Sequence, residues 1–189
     1  MNRIHKISAL ERPKYIRPVK IHYTQNGVLR EWEAILSHDS VAVLLWHVNL
    51  KAFVIVRQLR ATVLNQDEHN GFTYELCAGI MDKDASEAQT AKEEILEECG
   101  YEVPLESLER VTSFYTSVGI SGAKQTLFFA CVDETMQVND GGGLEDEAIT
   151  VLYLPIEEAK AFMFDESRHK TPGMMMAFYW FFENRMNTT

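Results

Sequence analysis

The sequence predicts one mixed domain, α/β or α+β, on three observations. Short runs rich in β-branched and aromatic residues recur as far as Pro155, a capped helix stands among them, and two helical segments follow the last run. A chain of 189 residues is long enough for one domain with a sizeable hydrophobic core and too short for two domains of typical size.

The first predicted elements are strands. Gln25-Asn26-Gly27 stands between two alternating stretches and predicts a tight hairpin turn. Two β-rich runs separated by VNLK predict an antiparallel pair, DSVAVLLWH and AFVIVRQLR. A further strand candidate, GFTYELCAG, ends at Gly79.

The next predicted element is a helix from about Ser86 to Cys99. Ser86 can act as its N-cap, and Gln89 three residues later fits a capping box. Gly100 is a natural C-terminal stop.

The second half of the chain predicts three strands and two helices. The strands are LERVTSFYTS and KQTLFFACV, on either side of a turn at Gly119 and Gly122, and ITVLYLP, which follows the flexible acidic loop NDGGGLEDEA. The helices begin in PIEEAKAFM and TPGMMMAFYWFFENRM. The apolar stripe of the last helix is typical of core or of a dimer interface.

Composition limits the possible functions. The net charge of −10, from 28 acidic and 18 basic residues, argues against a broad nucleic-acid surface. No apolar run reaches the roughly 18 residues of a membrane span, and the N-terminus lacks the apolar region of a secretory signal. Cys77, Cys99 and Cys131 have no metal-ligand spacing and predict reduced thiols in a cytoplasmic protein.

The predicted helix is unusually rich in glutamate. Glu94, Glu97 and Glu98 occupy positions i, i+3 and i+4, so their carboxylates share one face. Oxygen ligands on one ridge suit Mg²⁺ or Mn²⁺, which in turn bind phosphate. The alternative is a solvated acidic face, which such runs usually form. Glu87, near the start of the helix, is expected to face water.

This stretch resembles the Nudix box, which runs Gly, five residues, Glu, seven residues, then Arg-Glu-aliphatic-any-Glu-Glu-any-Gly-aliphatic or aromatic. The positions that match are Gly79, Glu94, Ile95, Glu97, Glu98, Gly100 and Tyr101. Ala85 stands where the first Glu is expected, and Glu93 stands in place of the Arg. Because that Arg is thought to brace the glutamates, the departures leave the metal ligands in place and put the bracing in doubt.

The resemblance extends from about Ile16 to Trp180. HYTQNG, HDSVAVLL, VRQLR, ELCAG, SVGISG, QTLFF and GGGLEDE are similar to the UDP-sugar diphosphatase branch of the ADP-ribose pyrophosphatase-like Nudix group. It implies an α/β/α sandwich with a mixed β-sheet, divided into an N-terminal β region at residues 1–38 and a Nudix hydrolase domain at residues 39–189. It also implies hydrolysis of a nucleotide sugar with Mg²⁺, or with Mn²⁺ as the alternative cation: UDP-glucose would give UMP and glucose 1-phosphate.

The resemblance assigns roles to particular residues. Glu94 and Glu98 are the first metal ligands, with Glu97 beside them as ligand or catalytic group, and the backbone carbonyl of Ala78 completes the set. A general base is expected on the late acidic loop. Glu145, Asp146 and Glu147 are all candidates there, and alignment of the following strand favours Glu147.

Four further residues are expected to bind or support the substrate. Arg60 matches a phosphate contact, and Arg57 precedes it by three residues; the guanidinium group suits phosphate through paired donors. Glu75 matches a supporting carboxylate. Trp32 matches an aromatic residue that stacks on the base, although packing or a dimer contact explains it equally well.

Two alternatives to a UDP-glucose hydrolase remain open. One is an ADP-ribose or broader nucleoside-diphosphate hydrolase, although Val118 stands where ADP-ribose hydrolases usually carry Pro. The other is a degenerate domain that binds nucleotide without cleaving it. Relatives form homodimers through an N-terminal β region, so residues 1–38 are expected to do the same; no nucleic-acid or membrane partner is expected.

Overall fold

A computed structural model describes residues 2–144 and 147–186. The strands in those ranges are β1 (Arg17–Gln25), β2 (Val28–Leu36), β3 (Ser40–His47), β4 (Ala52–Leu59), β5 (Phe72–Glu75), β6 (Cys77–Ile80), β7 (Glu109–Tyr115), β8 (Lys124–Val132) and β9 (Thr150–Pro155). The helices are α1 (Ala61–Gln66), α2 (Glu87–Cys99), α3 (Ile156–Phe164) and α4 (Pro172–Asn184), and a 3₁₀ turn covers Leu105–Ser107.

Strands β1 and β2 form the predicted hairpin. They make a separate two-stranded antiparallel sheet in which Gln25 pairs with Val28. Asn26 and Gly27 have φ angles of 52° and 78°, the left-handed conformation that a two-residue hairpin turn with the right twist requires. Near the end of β2, the Ile35 N–H donates to the Ile120 carbonyl at 2.8 Å, which ties the hairpin to the rest of the chain.

The other seven strands form one mixed sheet. Its order is β5-β4-β3-β8-β7, with β6 also paired to β3 and β9 to β4. The predicted antiparallel pairing of β3 with β4 is confirmed, and β3 with β8 is parallel. The segment GFTYELCAG is not one strand, because β3 and β4 pair only next to their hairpin. Its first half pairs with β4 and its second with β3, with Leu76 between them.

Helices cover both faces of the sheet and bury its alternate residues. Val41, Val43 and Leu45 of β3 pack in one core cluster with the α2 residues Ala91 and Ile95. The intervening β3 residues belong to a second cluster, on the face covered by α3 and α4. Burial on both faces explains why β3 is a continuous apolar run. The structure therefore confirms the α/β/α sandwich.

Helix α2 has the predicted boundaries, but its capping box is only half formed. Ser86 Oγ accepts the Gln89 backbone N–H at 3.2 Å. The Gln89 side chain donates to Glu93 Oε1 at 2.9 Å instead of returning to the N-cap. Gly100 ends the helix in the left-handed conformation. Helix α1 was not predicted from the sequence.

Helices α3 and α4 close the described part of the chain. Thr171 caps α4, and Met174, Phe178 and Phe181 are buried in the second cluster, so this stripe belongs to the core. Across residues 2–144 and 147–186, every helix is too short or too polar to cross a membrane.

We predict that Gly100→Ala destabilises the protein far more than Gly27→Ala. Both glycines have φ near 78°, so each variant incurs the cost of a left-handed alanine, about 1 kcal/mol. A β-carbon on Gly100 would lie 2.1 Å from the Asn139 carbonyl oxygen, whereas one on Gly27 would meet nothing within 4 Å. Thermal unfolding should show a melting temperature for Gly100→Ala that is roughly 4–8 °C below that of Gly27→Ala. Equal losses would contradict this packing.

Candidate active site

Helix α2 holds Glu98 beneath strand β6. Ile95 and Cys99 are fully buried against the sheet, and this fixes the rotation of the helix. Glu98 is 5% exposed, and its Oε2 accepts the Ala78 N–H at 2.9 Å. The backbone at Ala78 and the Glu98 carboxylate are therefore in direct contact.

Glu94 reaches the same strand one residue further on. A β-carbon on Gly79 would lie 1.8 Å from Glu94 Oε1. Only glycine therefore lets the Glu94 carboxylate lie against the backbone of β6. This contact explains why the box begins with a glycine fifteen residues before its metal-binding glutamate.

The environment of both carboxylates disfavours their ionised forms. Burial, followed by the charges of Glu97 and Glu147, raises the pKa of Glu94 to about 7. Burial also raises the pKa of Glu98 to about 8, against the lowering effect of the Ala78 hydrogen bond and with a contribution from Glu94. The positive charge near these two carboxylates, which includes that of Lys83, does not offset their burial and mutual repulsion.

Glu147 is held near this pair by the glycine loop. The N–H groups of Gly142 and Gly143 donate to the carbonyls of Glu98 and Glu97, at 2.9 and 3.0 Å, so the loop is attached to the last turn of α2. The Glu147 carboxylate accepts the Leu144 N–H at 3.0 Å. Its charge acts on both Glu94 and Arg60. The other two candidate bases, Glu145 and Asp146, lie outside the described residues.

Arg60 is oriented by a buried carboxylate. Its Nε and Nη2 donate to the two oxygens of Glu75, at 2.8 and 2.6 Å, and Thr73 Oγ1 donates to the same carboxylate at 2.5 Å. Glu75 is 7% exposed. Burial acts to raise the pKa of Glu75, but the bonds from Arg60 and Thr73 bring the pKa below its ordinary value. Glu75 thus fixes the position of Arg60.

Arg57 and Trp32 are not brought to the glutamates. Arg57 pairs with Tyr74 across β4 and β5 and lies 4.9 Å from the centre of the Phe72 ring. Alternation along β4 puts Arg57 on the α3–α4 face, opposite Glu75. Trp32 is 54% exposed on β2 and donates from Nε1 to the Gly119 carbonyl at 3.0 Å.

Glu93 has a partner of its own. Lys83 Nζ lies 3.6 Å from Glu93 Oε2, and the charge of Lys83 also lowers the pKa of Glu94. The box thus has a lysine–glutamate pair beside it, with the acidic member at the position of the expected Arg. Lys83 was not predicted from the sequence, because it lies two residues before Ala85, the position at which the Nudix box has its first Glu.

The expectation that Glu87 faces water is wrong. Thr126 Oγ1 donates to one Glu87 oxygen at 2.8 Å, and Arg110 Nε donates to the other at 3.2 Å. These bonds attach the first turn of α2 to β7 and β8. The partners come from strands far along the chain, so helix periodicity gave no sign of them.

The donor set suits a hard divalent cation. Glu94, Glu98 and the Ala78 backbone offer oxygen, the ligand type of Mg²⁺ and Mn²⁺. Their mutual repulsion would be relieved by a positive ion. In residues 2–144 and 147–186, no group of three His, Cys, Asp or Glu side chains is arranged so that it could bind a metal ion by itself. The fit therefore depends on the two glutamates together with the backbone carbonyl of Ala78.

Comparison with known families identifies the domain to which these residues belong. Residues 36–172 match the NUDIX domain. The chain belongs to the Nudix family. As a Nudix hydrolase it is 35% identical to the uridine diphosphate glucose pyrophosphatase NUDT14 of Bos taurus and 34% identical to that of Mus musculus, each over 89% of this chain and 88% of the relative.

A second group of Nudix relatives acts on another nucleotide sugar. The GDP-mannose pyrophosphatase of Cronobacter sakazakii is 40% identical over 64% of this chain and 62% of its own length. The predicted family membership is therefore confirmed.

We predict that Glu98→Gln stabilises the metal-free protein at high pH. A carboxyl whose folded pKa is raised stabilises the fold fully below its unfolded pKa, and that contribution is lost as pH rises through about 8. Glutamine has no such dependence and can still accept the Ala78 N–H. The variant's melting temperature relative to wild type should therefore rise by roughly 2–6 °C between pH 5 and pH 8.5 in EDTA.

The control for this measurement is Glu102→Gln, on an exposed glutamate, which should show no such trend. A melting-temperature difference for Glu98→Gln that is constant across the pH range would contradict the buried, raised-pKa carboxyl.

Proposed function

We propose that this chain hydrolyses the diphosphate bond of a nucleotide sugar with Mg²⁺, and that UDP-glucose, giving UMP and glucose 1-phosphate, is its main substrate. The observation that carries the proposal is the pair Glu94 and Glu98, which lie against β6 with raised pKa values. The two mammalian relatives that match along most of the chain support the choice of UDP-glucose.

Different residues have different roles in the proposed reaction. Glu94, Glu98 and the Ala78 carbonyl would hold the cation, with Glu97 beside them. When bound, the cation would neutralise the diphosphate and lower the pKa of the attacking water. Arg60, held by Glu75, presents its remaining donors to a phosphate oxygen, in the paired geometry that guanidinium groups favour.

Glu147 is our candidate general base. It is exposed on a loop whose backbone is bonded to the end of α2, so its carboxylate can approach the site without moving the helix. It would take a proton from water as the oxygen attacks phosphorus, and the bridging oxygen would leave with the other phosphate.

The N-terminal hairpin is our candidate dimer contact. Strands β1 and β2, within the predicted region of residues 1–38, form a sheet outside the main one, and Val28, Leu29 and Trp32 expose large apolar side chains there. Trp32, exposed on the same hairpin, is our candidate for stacking on the nucleotide base. Three free cysteines are consistent with a cytoplasmic enzyme.

The test is a substrate panel with Mg²⁺, read by product identity. UDP-glucose should be cleaved to UMP and glucose 1-phosphate with a higher kcat/KM than UDP-galactose, GDP-mannose or ADP-ribose. Faster cleavage of ADP-ribose would assign the chain to the other hydrolase class. Tight nucleotide binding with no turnover of any compound would identify a binding domain.

We predict that Glu147→Gln lowers kcat for UDP-glucose by about 10²–10⁴-fold, because glutamine cannot accept the proton. Glu158→Gln, on an exposed carboxylate of α3, is the matched control and should leave kcat unchanged. A loss of less than threefold for Glu147→Gln would eliminate it as the base.

A further inference from the structure

A cavity of about 700 Å³ opens beside the glutamate site, on the face of the sheet covered by α4. Ala78 and Glu75 belong to its lining; the first contacts Glu98 and the second holds Arg60. The rest of the wall comes from β3, β7, β8 and the start of α4. Its volume is within the range of small-molecule sites in proteins.

The polar atoms of this cavity are neutral. Ser40, Thr112 and Gln125 contribute hydroxyl and amide groups to its wall. Among the described lining residues there is no Lys or Arg, and the one carboxylate, Glu75, is occupied by Arg60. A second phosphate would therefore find no counter-charge here, whereas an uncharged group rich in hydroxyls would find partners.

The glutamine at the centre of the wall is held in place. Gln125 Nε2 donates to Ser40 Oγ at 3.2 Å. A β-carbon on Gly173 would lie 3.1 Å from Gln125 Oε1 and 3.2 Å from Phe114 Cζ. The absence of a side chain at Gly173 thus lets α4 close on the amide and the phenyl ring, leaving a narrow slot with one polar and one aromatic wall.

We propose that this cavity holds the pyranose ring of the nucleotide sugar and that Gln125 is a specificity-determining residue. The inference rests on the proposed function. Gln125 and Ser40 bond ring hydroxyls, and Phe114 covers the apolar face of the ring. The planar base binds elsewhere, since a flat exposed aromatic surface is available at Trp32.

The kinetic test uses two substrate series. UDP-glucose, UDP-galactose and UDP-N-acetylglucosamine vary the sugar, whereas UDP-glucose, GDP-glucose and ADP-glucose vary the base. Gln125→Ala should raise KM for UDP-glucose about 5–30-fold, the effect of losing one or two hydrogen bonds. The glucose-to-galactose ratio of kcat/KM should change at least threefold, and the base ratios should stay within twofold.

The control is Gln66→Ala, an exposed glutamine at the end of α1, which should change neither ratio. If Gln125→Ala alters the base ratios and leaves the sugar ratios constant, the cavity holds the base and the proposal is wrong. It is also wrong if neither ratio changes.

A binding measurement separates this inference from the proposed function and needs no variant. Met176 lines the cavity, while Met136 lies in the core cluster on the α2 face. In protein labelled with ¹³C at methionine methyls, glucose 1-phosphate should shift the Met176 signal and leave Met136 unchanged, and UMP should shift neither. This result in a protein without hydrolase activity would support the cavity assignment and reject the proposed function. A Met176 shift with UMP alone would overturn the cavity assignment.

Discussion

The contact of two glutamates with the backbone of β6 is the constraint on which the site depends. Glu98 accepts the Ala78 N–H, and Glu94 lies where a β-carbon on Gly79 would stand. Glu98 is buried, Glu94 is partly buried, and the two are close to each other, so their ionised forms are unfavourable without a positive partner. The core provides the free energy that keeps them there, through the buried side of α2 packed on β3 and β4.

The neighbouring groups follow from this contact. The glycine loop bonds to the last carbonyls of α2 and brings Glu147 to the open side of the pair. Arg60 faces the site with its direction fixed by Glu75. The cavity that we propose for the sugar begins at Ala78 of the same strand, on the face covered by α4. One short strand, β6, therefore contacts both the candidate metal ligands and this cavity.

The sequence predicted those features that depend on interactions between residues close together in the chain. The Asn26–Gly27 hairpin, the Ser86 and Gly100 caps of α2, and the shared face of Glu94 and Glu98 all depend on residues within a few positions of one another. The family resemblance supplied the fold around them. The break at Leu76, the position of Arg57 on the α3–α4 face, and the bonds of Glu87 depend on strands that meet only in the folded sheet. The Gln125 cavity was missed for the same reason, since its walls come from six separate elements.

The most direct measurement of the central claim is the number of protons released when the cation binds. Isothermal titration calorimetry with Mg²⁺ at pH 7, repeated in Tris and PIPES, gives that number from the different ionisation enthalpies of the buffers. Since the pKa values of Glu94 and Glu98 are about 7 and about 8, the account predicts release of about one proton per site. Binding without proton release would show that these carboxylates are already ionised and would contradict the account.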